Sequence, residues 1–188
     1  MTDATRPNRG KLIVLLVIFF VPLGIAFAMY YGSSWRPTGT TNHGQLLLPL
    51  QTVPADVPSL HGKWALVVIA DGQCDEACRT ALVLARQTRL ALNQDSPRVS
   101  RVLLATANCC DRNYLDAAHP GLQTVDLAAD GQATQAAALL AAFPATGLHD
   151  GLFIVDPLGN VVMRFDIHNT PKDLLTDLKK LLKLSSIG

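Results

Sequence analysis

The sequence predicts an α/β layered domain joined to a single N-terminal membrane-spanning helix. Three observations lead to this fold class. Residues 12–31 form an uncharged apolar run, and residues from 63 onward alternate between short β-branched runs and helical patterns. The chain then ends in a strongly amphipathic segment. A length of 188 residues is enough for one domain and an accessory segment.

The N-terminal run has the length and composition of a transmembrane anchor. Leu12 to Tyr31 contains 20 residues without a charge, and 20 helical residues span about 30 Å, the thickness of a bilayer's hydrocarbon core. Three basic residues precede this run, and the next one follows only at Arg36. This asymmetry predicts a cytoplasmic N-terminus at 1–11 and export of the rest of the chain.

A cleaved signal peptide is the competing interpretation of this run. Ala26-Phe27-Ala28 has the small-x-small pattern of a cleavage site. The apolar run continues past that site to full spanning length, which favours an uncleaved anchor. In a bacterium both interpretations place the rest of the chain in the periplasm, and the uncleaved anchor makes it a single-pass protein of the inner (plasma) membrane. The four cysteines then meet oxidising conditions.

Composition separates a linker from the exported domain. Residues 32–58 are rich in Gly, Thr, Ser and Pro and are predicted to be a tether, in which His43 is solvated. Residues 59–188 are long enough for one compact domain. The net charge of +1 gives no indication of nucleic-acid binding. Nucleic acid is therefore not an expected partner, the membrane is expected as one through Leu12–Tyr31, and the oligomeric state stays open.

The predicted elements of the exported domain alternate between strands and helices. In chain order they are a strand at 63–70, a helix at 75–93, a strand at 99–106, a helix at 132–142, strands at 152–155 and 161–166, and a helix from 170. The first strand is almost entirely apolar, which is typical of burial on both faces. Asp156 to Asn160 has turn-favoured residues and closes a hairpin. A crossover, a closing hairpin and a final helix predict a thioredoxin-like domain.

The last helix has a clear start signal. Thr170 suits the N-cap, Pro171 the first helical position, and Asp173 the positive helix end. Leucines at helical spacing predict its buried stripe, and lysines mark its outer face.

Cys74 and Cys78 stand where the first strand passes into the first helix. A helix N-terminus stabilises a thiolate, the form of cysteine that attacks disulfides and binds soft metals. At this spacing the two sulfurs can form a disulfide or share a metal ion, whereas Asp75 and Glu76 oppose thiolate formation. A purely structural disulfide is the alternative. The C-terminal edge of an α/β sheet favours an active pair.

Two segments resemble the Sco/SenC family of membrane-anchored, thioredoxin-fold copper proteins. They are KWALVVIADGQCDEAC, preceded by His61-Gly62, and HDGLFIVDPLGNVVMRFD. The resemblance covers most of the chain from residue 59 and implies copper handling, thiol–disulfide exchange, or both, during assembly of the copper centre of cytochrome c oxidase. It implies Cys74, Cys78 and His149 as copper ligands. His149 lies one position from the place that the family's spacing gives.

Three functions follow as expectations. The first is a copper chaperone that delivers its ion to a cytochrome c oxidase subunit or another cuproprotein. The second, the enzymatic alternative, is a thiol–disulfide oxidoreductase in which Cys74 and Cys78 are catalytic. The third is a non-catalytic assembly scaffold with a structural disulfide. Near Asp150 the chain lacks the proline that thioredoxin-like reductases carry. This absence makes the oxidoreductase less favoured than the copper chaperone.

Cys109 and Cys110 follow the second predicted strand, which ends at the same sheet edge as Cys74. They form a strained vicinal disulfide, exchange with the first pair, bind a metal ion, or remain free thiols. The residues leave these alternatives open. The other histidines of the domain, His61, His119 and His168, are expected to be ordinary loop residues.

Overall fold

The structure, a computed structural model, describes residues 9–32, 41–70, 74–107, 112–129 and 131–185. The chain divides into two compact units, Met1–Thr41 and Asn42–Gly188. The first unit contains helix α1 (Arg9–Gly32). Its segment Arg9–Tyr31 contains an 18-residue stretch with a mean hydropathy of 3.0 and is long and apolar enough to cross a membrane. The chain thus has the character of a single-pass membrane protein, and its orientation stays a prediction.

The second unit is a mixed six-stranded sheet with helices on both faces. Its elements are β1 (Gln45–Thr52), β2 (Trp64–Ala70), α2 (Glu76–Ala91), β3 (Val99–Ala105), α3 (Arg112–Ala118), β4 (Gln123–Asp126), α4 (Ala133–Leu140), β5 (Gly151–Val155), β6 (Asn160–Asp166) and α5 (Pro171–Leu184). The strand order is β1-β6-β5-β2-β3-β4. This arrangement confirms the predicted thioredoxin-like fold and all seven of the predicted elements.

The strand β2 lies at the centre because it is apolar on both faces. All seven of its residues are buried. It pairs in parallel with β3, from Trp64 opposite Val99 to Ala70 opposite Ala105, and antiparallel with β5. One face of the sheet packs against α2 and α5 and the other against α4. The helix α2 begins at Glu76, six positions after β2 ends at Ala70.

The last helix begins as the sequence predicts. Thr170 is the N-cap of α5, and it forms a reciprocal capping box with Asp173. Leu174, Leu178 and Leu182 are buried along one stripe. Asp177 lies in the same stripe and is only 2% exposed, which the leucine pattern does not predict.

The predicted linker at 32–58 differs from the structure. Residues 45–52 form β1, an edge strand antiparallel to β6, so the compact unit begins at Asn42 rather than at 59. β1 pairs with β6 at both ends, but its register shifts between Leu46 and Gln51. Leu48 is 78% exposed. The sequence does not predict β1, because this segment lacks the apolar–polar alternation of a half-buried strand.

Two further elements were not predicted. The helix α3 spans one and a half to two turns and buries only Leu115, and β4 is a partly exposed four-residue edge strand. Elements this short leave too few residues to establish a periodicity.

Candidate functional site

Cys74 and Cys78 form a disulfide at the start of α2, with their Cα atoms 5.2 Å apart. Cys74 is partly exposed, whereas Cys78 is 1% exposed and belongs to the core between the sheet and α2. The strand-to-helix junction predicted from the sequence brings the two sulfurs together. The difference in exposure makes Cys74 the sulfur that a partner can reach.

Asp75 has a defined structural role between the two cysteines. It is the N-cap of α2, and its carboxylate accepts a hydrogen bond from the backbone N–H of Cys78 at 2.9 Å. An acidic N-cap satisfies one of the helix's unpaired amides and suits the positive end of the helix dipole. Asp75 therefore explains how the helix starts at this point.

Arg79 contacts the backbone of the first cysteine and an aromatic ring of α3. Its Nε donates to the backbone oxygen of Cys74 at 3.1 Å, and its guanidinium lies over the ring of Tyr114 on α3, 5.6 Å from the centroid. Neither residue was singled out from the sequence. A basic residue directly after the second cysteine was the available signal, because arginine next to a cysteine favours the thiolate.

The sheet brings two other segments to this edge. Both the amide and the hydroxyl of Thr106, just after β3, donate to the oxygen of Ala70 at the end of β2, at 2.9 and 3.0 Å. The following Cys109 and Cys110 lie outside the described residues, so their alternatives stay open.

The loop before β5 reaches the same edge. β2 and β5 run antiparallel, with Val68 opposite Leu152, so the chain enters β5 where β2 ends. His149 lies two residues before β5, on the surface. Within the part of the chain that the structure describes, no three His, Cys, Asp or Glu side chains are grouped to hold a metal ion. In this disulfide form the sulfurs of Cys74 and Cys78 bond each other, and the ligand role of His149 stays a prediction.

Two other histidines have surroundings that the sequence did not indicate. His43, expected to be solvated, is exposed, and its ring Nδ1 lies 3.1 Å from the carboxylate of Asp177. His119 follows α3 and is 1% exposed.

The buried His119 lies in a cationic environment. Burial lowers its pKa, and the charges of Arg101 and Arg86 lower it further. Arg101, on β3, is 3% exposed and donates to the oxygen of Pro120 at 2.6 Å. The ring of Tyr114 meets that of His119 edge to face at 5.9 Å. Tyr114 thus contacts both the buried His119 and Arg79, the residue that hydrogen-bonds Cys74.

Comparisons with known proteins agree with this architecture. Residues 64–185 match the family model described as the transmembrane-like, thioredoxin-like, C-terminal domain. A search of curated protein sequences found no match.

Three solved structures illustrate the similarity. Copper-bound yeast Sco1 gives a TM-score of 0.56 at 12% identity, over 78% of this chain and 96% of its own. Copper-bound ScoI of Arabidopsis thaliana gives 0.51 at 14% identity, over 76% and 99%. Copper-bound ScoI of Bradyrhizobium japonicum gives 0.49 at 21% identity, over 73% and 98%.

The first two similarities confirm the predicted resemblance to Sco proteins at the level of the fold. The family model covers most of the chain, including α2 with its disulfide-bonded Cys78 and the final helix α5. The chain therefore belongs to the transmembrane-like, thioredoxin-like, C-terminal domain family.

Proposed function

We propose that this protein is a membrane-anchored, Sco-like copper-handling protein that assists assembly of the copper centre of cytochrome c oxidase. The observation that carries the proposal is the Cys74–Cys78 pair at the start of α2, in a fold shared with copper-bound Sco1. The domain acts outside the cytoplasm, and its partner is a cytochrome c oxidase subunit or another cuproprotein.

The donor set suits copper once the disulfide is reduced. A partner dithiol that is itself oxidised to a disulfide supplies two electrons and two protons, which opens the S–S bond and gives two thiols, whose thiolates are soft ligands that select Cu(I). His149 lies in the loop at the same sheet edge and is the third ligand in this proposal, since imidazole also binds copper. The partial exposure of Cys74 gives a partner's ligands access to the ion.

A copper titration tests the proposal. The full chain in detergent, reduced under anaerobic conditions, is titrated with Cu(I) against a competing chelator. One tightly held ion is expected in the wild type, loss of that ion in Cys74→Ser/Cys78→Ser, and weaker binding in His149→Ala. His168→Gln is the matched control, because His168 is also an exposed loop histidine. Equal binding by the wild type and the double serine variant would refute the copper function.

A thiol–disulfide oxidoreductase is a second candidate, and the closed disulfide with its unequal exposure favours it. The Cys74 thiolate attacks a sulfur of the acceptor's disulfide, which forms a mixed disulfide and releases the acceptor's other thiolate. The Cys78 thiolate then attacks the Cys74 sulfur and releases the acceptor's remaining thiolate. The pair ends as a disulfide, and the acceptor gains two electrons and two protons.

Trapping experiments test this second candidate. Cys78→Ser removes the resolving thiol but keeps the accessible Cys74, so it is expected to accumulate a mixed disulfide with the acceptor. Cys74→Ser is the control and is expected to trap far less, because Cys78 is buried. Equal trapping by both variants, or none by either, would contradict this mechanism.

A further inference from the structure

We propose that Arg79 is a positioning residue that stabilises the reduced form of the Cys74–Cys78 pair. The inference rests on the proposed function only in requiring that the pair cycles between disulfide and dithiol. It concerns both candidate activities, because the thiolate is the ligand of copper as well as the nucleophile in disulfide exchange.

The first contact fixes the cation beside the pair. Arg79 follows Cys78 in the chain, and its Nε donates to the backbone oxygen of Cys74 at 3.1 Å. The guanidinium is therefore tied to the backbone of Cys74, and the Cα of Arg79 directly follows Cys78. Its partner is a backbone carbonyl, which remains an acceptor when the S–S bond is opened, so this contact can keep the positive charge beside Cys74 after reduction.

The second contact fixes the guanidinium from α3. It lies over the Tyr114 ring, 5.6 Å from the centroid, within the range of a cation–π interaction. A planar guanidinium can stack on a ring and donate from its edge at the same time, which an ammonium cannot do. Tyr114 thereby holds an exposed and otherwise flexible arginine in one place.

The charges around the pair explain why a cation at Arg79 affects the thiolates. Asp75 and Glu76 place two negative charges between the cysteines, and both oppose thiolate formation. Arg79 is the cation next to them, and a neighbouring arginine favours the thiolate. A more stable reduced form makes the corresponding disulfide a stronger oxidant. Removing the cation is therefore expected to favour the disulfide.

The test measures the thiol–disulfide equilibrium of the full chain in glutathione buffers. Arg79→Gln is expected to raise the equilibrium constant for disulfide formation about two- to fivefold, the range for an exposed ionic interaction. Arg79→Lys keeps the charge and is expected to lie closer to the wild type. Arg86→Gln removes the same charge further along α2 and is expected to leave the equilibrium unchanged. At about 1 M salt the Debye length falls to about 3 Å, so the effect of Arg79→Gln is expected to shrink.

The tyrosine variants test the positioning. Tyr114→Phe keeps the ring and is expected to match the wild type, whereas Tyr114→Leu is expected to shift the equilibrium in the direction of Arg79→Gln.

The proposal is overturned if Arg79→Gln matches the wild type at low salt, or if its shift is unchanged at high salt. If the thiol–disulfide equilibrium of Tyr114→Leu equals that of the wild type, the Tyr114 ring does not position Arg79. These outcomes are independent of the proposed function. If the wild type neither binds Cu(I) nor traps an acceptor, the proposed function fails, while the redox equilibria still decide the role of Arg79.

Discussion

The carboxylate of Asp177 accepts the backbone N–H of Gly44 at 3.0 Å, across 133 positions of sequence. The same carboxylate accepts the backbone N–H of His43 at 2.6 Å. Asp177 belongs to the otherwise apolar stripe of α5, and the amides lie just before β1. This contact fastens the beginning of the thioredoxin-like domain to its last helix.

Replacing Asp177 is expected to destabilise the domain. Asp177→Leu leaves two amides without their acceptor, and each such loss costs about 1–3 kcal/mol when the group is buried. The free energy of unfolding, from urea denaturation of the full chain, is expected to fall by at least about 1 kcal/mol. Asp116→Asn, at an exposed carboxylate on α3, is the control. A stability equal to that of the wild type would contradict the fastening role.

The Asp177 carboxylate also predicts that the stability of the domain depends on pH in the acid range. Burial raises the pKa of Asp177, but hydrogen bonds from Gly44 and His43 outweigh it and hold that pKa below the ordinary value of 3.8. The unfolded chain therefore binds the proton more readily, so this stability is present above pH 3.8 and is lost as the pH falls through the lower folded pKa. Unfolding curves across this window are expected to show a smaller pH dependence for Asp177→Leu than for the wild type.

Gly44 is required by close packing. A Cβ atom at this position would lie 2.5 Å from Cε2 of Phe165 and 2.7 Å from the sulfur of Met163. Phe165 is fully buried and Met163 is 3% exposed, so neither has space to move away. Gly44→Ala is expected to lower the free energy of unfolding by about 1–3 kcal/mol, the usual cost of overpacking. A free energy of unfolding of Gly44→Ala equal to that of the wild type would contradict this packing requirement.

His119 predicts a second pH dependence, near neutrality. Burial and then the charge of Arg101 lower its pKa below 6.5, so the folded state binds its proton less readily than the unfolded state. The contribution of neutral His119 to the free energy of unfolding is therefore fully present above about pH 6.5. It declines as the pH falls towards the lower folded pKa. Thermal unfolding of His119→Leu is expected to lack this decline, whereas His168→Gln, at an exposed histidine, is expected to retain it. A decline that persists in His119→Leu would rule out His119 as its source.

Asp75 is expected to contribute to stability as a cap. Asp75→Ala removes the acceptor of the Cys78 amide and should cost about 1 kcal/mol, while Asp75→Asn keeps a capping oxygen and should cost less. Melting temperatures of the oxidised full chain compare the two variants. Equal losses would mean that the charge of Asp75 matters more than its hydrogen bond.

Much of the fold could be predicted because its core elements carry strong patterns. β2 is a continuous apolar run, and α5 has both a capping box and a leucine stripe, so their positions follow from the sequence. β1 could not be predicted, because its stability comes from pairing with β6 and from Asp177, partners more than 100 residues away. Long-range contacts of this kind leave no local periodicity.

The candidate site was predictable in part for the same reason. The closeness of Cys74 and Cys78 follows from their placement at the strand-to-helix junction, because Cys74 lies just before the N-cap Asp75 and Cys78 lies in the first turn of α2. The contact of Arg79 with Tyr114 depends on how α2 packs against α3, and α3 was not recognised. The position of His149 relative to the pair depends on the conformation of the loop before β5, so its ligand role stays a prediction.

X-ray absorption spectroscopy at the copper edge tests the central claim most directly. The reduced full chain is loaded with one equivalent of Cu(I), and the ligand atoms are identified in the wild type, His149→Ala and Cys74→Ser/Cys78→Ser. The predicted wild-type shell contains two sulfur ligands and one nitrogen, and His149→Ala loses only the nitrogen. A copper shell without sulfur, or the same sulfur shell in the double serine variant, would contradict a copper site built on Cys74 and Cys78.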